Sequence, residues 1–303
     1  MRTSAAAALA IAFGAANVVA SPVTKRQNTT ASSIDDTTIL NYALTLEHLE
    51  NAFYRDALAQ FDAAAFESAG FPAWVRGRFS QIAEHEASHV AVLSGALGDA
   101  AVQACEYTFP YTDPKSFAAL SAVIENVGVS AYVGAAASIM DKTYLTVAGS
   151  ILTTEARHQA WVSSAVNQAE PWSGPYDTPV AFSPVYSVAA QFIKNGSCPA
   201  SNGALPFTAF PALTYMDGKV AFEGLSGQNQ YVVLYQGLNI ATYPIGADGS
   251  VSLPETQGIA YITVSTEKNA TLTGDDNIIA GPAVVANPFD AYASNPAPTF
   301  TSA

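Results

Sequence analysis

Two of the four histidines in this chain follow a glutamate by three residues, as Glu86-x-x-His89 and Glu155-x-x-His158. On an α-helix that spacing puts both side chains on one face. Two more glutamates, Glu47 and Glu125, lie in stretches with the same apolar period. Tyr54 follows Glu47 by seven residues, and Tyr132 follows Glu125 by seven. Seven residues are two helical turns, so each tyrosine shares its glutamate's face. The order Glu-x6-Tyr, then Glu-x-x-His, therefore occurs twice, which predicts two half-sites related by a pseudo-twofold axis. A buried carboxylate without a partner costs on the order of several kcal/mol. Four close together repel, and some must take up protons. Divalent cations remove both difficulties, and carboxylate oxygens with imidazole nitrogens suit iron or manganese. The expected ligands of a two-metal site are Glu47, Glu86, His89, Glu125, Glu155 and His158, with the Tyr54 and Tyr132 hydroxyls bonded to ligating carboxylates.

Neighbouring residues of the same types rank lower. His48 and His85 each flank an expected ligand by one position and point about 100° away from it, so both read as helix-side histidines. Glu50 has no tyrosine seven residues on, and Glu84 has no histidine three residues on.

Four long helices have to position these groups. A helical pattern starts at Ser33 or Asp35, either of them a good N-cap, with Leu40, Leu44, Glu47, Asn51, Tyr54 and Leu58 on one stripe. A second starts after Phe71-Pro72 and carries Phe79, Ile82, Glu86, His89, Leu93 and Leu97, with Gly98 ending it. A connection with Pro110 and Pro114 follows. The third stripe is Ser121, Glu125, Gly128, Tyr132, Ala136 and Ile139, and the fourth is Ile151, Glu155, His158, Val162 and Val166, stopped by Pro171. Each helix is about 25 residues, or ~35 Å. A short helix is expected over 184–194. Beyond residue 205 the pattern changes to short β-branched and aromatic runs at 220–224, 231–235, 240–244, 260–265 and 278–285, with turns at Asp217-Gly218 and Asp248-Gly249. The fold class is therefore α+β: a four-helix bundle over 36–199, then a small antiparallel β-sandwich over 205–290. The β region has no histidine or cysteine to support chemistry, and 291–303 reads as a disordered tail.

Residues 1–20 read as a signal peptide: Arg2, an apolar run too short to span a bilayer comfortably, and small residues before Ser21. Residues 21–35 form a polar leader with a dibasic pair, Lys25-Arg26. Sequons at Asn28, Asn195 and Asn269 are candidate glycosylation sites on an exported chain. The two cysteines, Cys105 and Cys198, would form one disulfide in an oxidising compartment. The mature chain is thus expected outside the cell or in the cell wall, with no membrane span. Its net charge of −13, with only 12 Lys and Arg and no basic cluster, argues against nucleic-acid partners.

The stretches LNYALTLEHLENAFY, FSQIAEHEASHVAVL, VIENVGVSAYVGAA, TTEARHQAWV and WSGPYDTPVAFSPVYSVAAQFI resemble the secreted ferritin-like proteins of fungi of the stress-response and late-sexual-development type, and the plant desiccation-related proteins. The resemblance covers 36 to about 199. It implies an up-down ferritin-like bundle and carries the six ligands onto the six positions above. One Glu from each of two helices plus Glu-x-x-His from each of two others is the di-metal arrangement of such bundles. Two features depart from better-known relatives. The chain runs on into a β region, which argues against closed-cage iron storage. It has two cysteines, where a rubredoxin-type centre needs four. The leading expectation is a di-iron or di-manganese protein acting on O2, peroxide or Fe2+ in stress or development. The alternative is a non-enzymatic protective or cell-surface protein with a structural or vestigial metal site, docking on cell-wall polymers or surface proteins.

Overall fold

The computed structural model describes residues 34–293. The signal segment, the dibasic pair, the Asn28 sequon and the end of the tail lie outside the described residues.

The helices form where the periodic stripes place them. α1 (Asp36–Gln60) is capped by Asp35, whose side chain accepts from the Thr38 N–H at 2.8 Å. A short α2 (Ala63–Ser68), not expected from the sequence, fills the corner before α3 (Trp74–Leu97). Gly98 caps α3 at φ 55°, a left-handed conformation that favours glycine. α4 (Pro114–Ala135) opens on a capping box between Asp113 and Ser116, with Pro114 at its first position, where its missing N–H costs nothing. α5 (Lys142–Trp161) is capped by Asp141 and runs into a π-helical turn, Val162–Val166, so the helix ends before Pro171. α6 is Phe182–Ala190. Ile139 lies past the end of α4 rather than on its stripe.

α1 lies along α3, and α4 lies along α5. α4 is apolar enough to pass for a membrane span, but most of that stretch is buried inside the protein. The long link from α3 to α4 is fastened to the segment after α6. Thr108 donates to the Phe192 carbonyl at 2.8 Å, Lys194 donates to the Glu106 carbonyl at 2.9 Å, and Cys105 is disulfide-bonded to Cys198. Asn195 and Asn269 are exposed.

Six strands follow. β1 (Thr214–Met216) and β2 (Lys219–Ala221) make a hairpin over Asp217-Gly218, both at positive φ. β3 (Tyr231–Gln236), β4 (Asn239–Pro244), β5 (Gly258–Ser265) and β6 (Ile278–Asn287) form an antiparallel sheet in the order β4-β3-β5-β6. Asp248-Gly249 turns the chain but joins no two of these strands.

This sheet is covered on both faces. Val232, Leu234, Ala260 and Ile262 pack on Leu213 and Val220 beside the hairpin, while Val233, Tyr235, Ile259 and Tyr261 enter the main core of the bundle. Alternate residues of one strand thus serve two different cores. The link is polar as well. The Tyr261 hydroxyl donates to Asn126 Oδ1 at 2.7 Å and accepts from Ser130 Oγ at 3.0 Å, both on α4. Asn126 is the residue next to Glu125.

Two outcomes follow from these contacts. Thiol titration of the denatured, unreduced protein should find no free thiol, and the paired change Cys105→Ser with Cys198→Ser should lower unfolding stability by up to about 4 kcal/mol, since the bond closes a long loop. Tyr261→Phe strips a donor from buried Asn126 and should cost about 1–3 kcal/mol in denaturant unfolding. It should lower the helix and sheet transitions together, whereas two separate transitions would show that the halves fold independently.

Candidate metal centre

The six expected ligands meet in the middle of the bundle. Glu47 comes from α1, Glu86 and His89 from α3, Glu125 from α4, and Glu155 and His158 from α5. The four glutamates are 0% exposed and the two histidines are buried. Their donor atoms fall into two sets, Glu47/Glu86/His89/Glu155 and Glu86/Glu125/Glu155/His158, and within each set all atoms lie within 4.8 Å of one another.

Glu86 and Glu155 belong to both sets, and their two oxygens divide between them. His89 Nδ1 is 3.2 Å from Glu86 Oε2, 3.0 Å from Glu155 Oε1 and 3.3 Å from Glu47 Oε2. His158 Nδ1 is 3.2 Å from Glu86 Oε1, 3.3 Å from Glu125 Oε2 and 3.8 Å from Glu155 Oε2. Each of the two carboxylates therefore turns one oxygen to each set. The residues fit metal ions on a direct test. Glu47 Oε2, Glu86 Oε1, Glu125 Oε2, both Glu155 oxygens and His158 Nδ1 are buried without a hydrogen-bond partner. Buried polar atoms are rarely left so, and here they converge from four helices onto the same space.

The outward-facing oxygens are held by the tyrosines, and the holding is crosswise. Tyr132 on α4 donates to Glu47 Oε1, and Tyr54 on α1 donates to Glu125 Oε1. Tyr54 also meets Ser121 Oγ at 2.7 Å. Each tyrosine thus serves the half-site opposite its own glutamate. α1 and α4 place Glu47 beside Tyr132 and Tyr54 beside Glu125, a pairing that spacing within one helix does not reveal.

Electrostatics follow from burial. Glu47 is pushed up to about 8, chiefly by desolvation, with the Glu155 and Glu86 charges adding to it. Glu125 is raised well above the carboxylate range, again by burial first. Burial also works against the charged form of Glu155, but the imidazoles outweigh it and hold that carboxyl at about 2. Desolvation alone would lower both histidines. The carboxylates around them instead lift His89 and His158 to about 12.

The flanking residues divide. His48 is turned away and bonds the Val102 carbonyl at 3.0 Å. Glu84 is exposed. His85 is not a bystander: its Nδ1 lies 2.9 Å from His158 Nε2. With Nδ1 of His158 facing the carboxylates, the contact between its Nε2 and His85 holds the ring's orientation, and were Nδ1 to ligate a metal the Nε2–H would donate to His85. Glu50, ranked low from the sequence, is buried beside the centre. No motif marks either role. His85 is found only through the approach of α3 to α5, and Glu50 only through the approach of α1 to α4. Over the histidine edge lies an open cleft of about 580 Å³, lined by Arg78, Gln81, His85, Arg157 and Trp161 together with His89 and His158.

A metal must displace protons from these groups, so its affinity should rise with pH. Between pH 6 and 8 the protons to be displaced sit on Glu47 at about 8 and on the histidines at about 12. Mn2+ titration calorimetry in buffers of different ionisation enthalpy should show proton release. Glu86→Ala combined with Glu155→Ala should abolish uptake. His85→Ala should weaken it about tenfold, and His48→Ala should leave it unchanged. A His48 effect larger than the His85 effect would contradict the geometry.

A family model for the ferritin-like domain matches residues 35–168, the stretch from the cap of α1 through the turn that ends α5. The chain is also 28% identical over 174 residues, 57% of its length, to Protein rds1 of the fission yeast Schizosaccharomyces pombe. That match spans 42% of the relative's own length. Helix order, the buried carboxylate–histidine cluster and the family match agree: residues 35–168 are similar to the ferritin-like domain, a helical bundle with a buried Glu/His cluster able to bind metal.

Proposed function

We propose that the bundle holds two ions, iron or manganese, and that the protein is an oxidoreductase-like metalloprotein acting on O2, peroxide or free Fe2+. The observation that carries this is the division of Glu86 and Glu155, each giving one oxygen to each donor set. Carboxylates disposed that way hold two ions side by side. When bound, such a pair supplies two-electron redox chemistry.

The chain's own residues do the rest. Tyr54 and Tyr132 fix Glu125 and Glu47, so only their inner oxygens are free to ligate. Six protein ligands leave coordination positions open if each ion takes five or six donors, as catalytic rather than structural sites do. The cleft brings small solutes to the histidine edge. His85, exposed on one side and bonded to His158 on the other, stands between solvent and the centre. Arg78 donates to Gln81 and Arg157 to Thr154, and neither has a carboxylate partner among the described residues, so the cleft wall is positive in a chain that is otherwise acidic.

We infer the setting from separate features. A disulfide between Cys105 and Cys198 persists in an oxidising compartment, in line with the signal-like segment at 1–20 and the exposed sequons Asn195 and Asn269. Export, glycosylation and a role in stress or development are part of this proposal.

Protein loaded anaerobically with Fe2+ should react with O2 or peroxide faster than free Fe2+ at the same pH, followed by stopped-flow absorbance. Glu86→Ala with Glu155→Ala should fall to the free-ion rate. If wild type and variant oxidise iron equally, and the manganese-loaded protein consumes no peroxide, the centre is a structural one.

A further inference from the structure

Glu50 has no place in the two donor sets. It is 3% exposed and has no hydrogen bond or ion pair among the described residues. A carboxylate in that position needs a cation or a donor.

Glu50 lines a cavity of about 30 Å³ whose other walls include Leu46, Leu49, Val127, Val188 and Phe192, and these side chains offer no donor. Gly128 on α4 lines it too and borders the Glu50 carboxylate. A Cβ on that glycine would sit 2.8 Å from Glu50 Oε1 and 3.7 Å from Glu155 Oε2. The missing Cβ is therefore what leaves room for the Glu50 carboxylate, and the same point borders a carboxylate shared by both donor sets.

The sequence symmetry explains the pairing. Glu50 follows Glu47 by three residues, and Gly128 follows Glu125 by three. The two positions are equivalent under the pseudo-twofold that exchanges the half-sites, and they face each other across it. Two full side chains there would claim the same space. One half supplies a carboxylate and the other a glycine.

We propose that Glu50 is a seventh protein ligand, a fifth carboxylate closing the α1–α4 side of the metal centre opposite the cleft, and that Gly128 is required to admit it. This rests on the two-ion reading above. Four carboxylates balance two divalent ions. A fifth leaves the divalent pair one negative charge in excess and favours the trivalent pair. It also makes the two ions inequivalent although their other ligands match.

The test uses the full chain stripped of metal and titrated with Co2+. Uptake is read by elemental analysis, geometry by visible absorption, and stabilisation by the rise in melting temperature from apo to loaded protein. Wild type should take up two Co2+. Glu50→Gln should bind with affinity reduced about tenfold or more, change the Co2+ spectrum, and shrink the metal-induced rise in melting temperature. Gly128→Ala should reproduce the loss, and Glu84→Gln, on the exposed face of α3, should show none of it. Glu50→Gln with wild-type affinity and spectrum would overturn the proposal. So would equal shifts in apo and loaded melting, because a merely structural glutamate acts on both alike. Wild type that takes up no Co2+ would overturn the two-ion reading and this one together, whereas two Co2+ bound by wild type and by Glu50→Gln with the same affinity and the same spectrum would overturn this one alone.

Discussion

Glutamates buried in an apolar bundle repel one another, and the neighbourhood of the centre is arranged to contain that repulsion. Each carboxylate is 0% exposed, so water screens nothing. Imidazoles and phenols have to do the screening. His89 and His158 lie among the carboxylates as counter-charges, and the two tyrosines neutralise the outer oxygens by donation. The tyrosines themselves are buried and raised well above their usual range by desolvation and the nearby glutamate charge, so they remain donors. An inner set of atoms is left with no hydrogen-bond partner, and those are the atoms a metal would take. The same electrostatics require long, rigid helices, because one slipped turn would leave a charge facing hydrocarbon with nothing to balance it.

Much of this was legible in the sequence because the helix period is strict. Polar residues on an otherwise apolar stripe have few explanations, and Glu86/His89 and Glu155/His158 each repeat at i, i+3 in register with a glutamate and a tyrosine elsewhere. Contacts between helices are another matter. The crosswise donation from Tyr54 to Glu125 depends on how α1 and α4 lie against each other. His85 is one residue out of phase with Glu86 and looks like a surface histidine until α5 is brought beside α3. Glu50 reads as an ordinary helix glutamate in the sequence because its meaning lies in the residue it faces, a glycine on another helix.

The strand region was legible in position but not in relation. β5 is buried at all eight residues, the pattern of a strand covered on both faces rather than one. Its sequence, GIAYITVS, already lacks the polar alternation of a half-exposed strand. A free-standing sandwich would bury one face of this sheet. Here the hairpin takes that face and the bundle takes the other. Tyr261 carries the consequence inward, because its hydroxyl holds Asn126, next in sequence to Glu125. The sheet thus braces the helix that supplies one of the ligands, an arrangement in which residues with no chemistry of their own still fix where chemistry can occur.

The pseudo-twofold also shows where the halves differ. The position equivalent to His85, one residue before the Glu-x-x-His pair, is Thr154 in the other half. Thr154 donates back to the Ser150 carbonyl at 3.2 Å, as helical threonines do, and cannot take the imidazole's role. His158 therefore has a titratable partner at the cleft, and the equivalent position opposite His89 holds a hydroxyl. On the far side of the centre, Glu50 stands against Gly128. Both departures from symmetry place the additional ionisable group on the α1–α3 half, Glu50 and His85, and the smaller residue on the α4–α5 half. A duplicated ligand set with unequal surroundings gives two chemically different positions from one repeated motif. The donor set that contains His158 has a bonded path to cleft solvent through His85, whereas the set that contains His89 includes Glu47, which Tyr132 ties to the buried helix that the sheet braces.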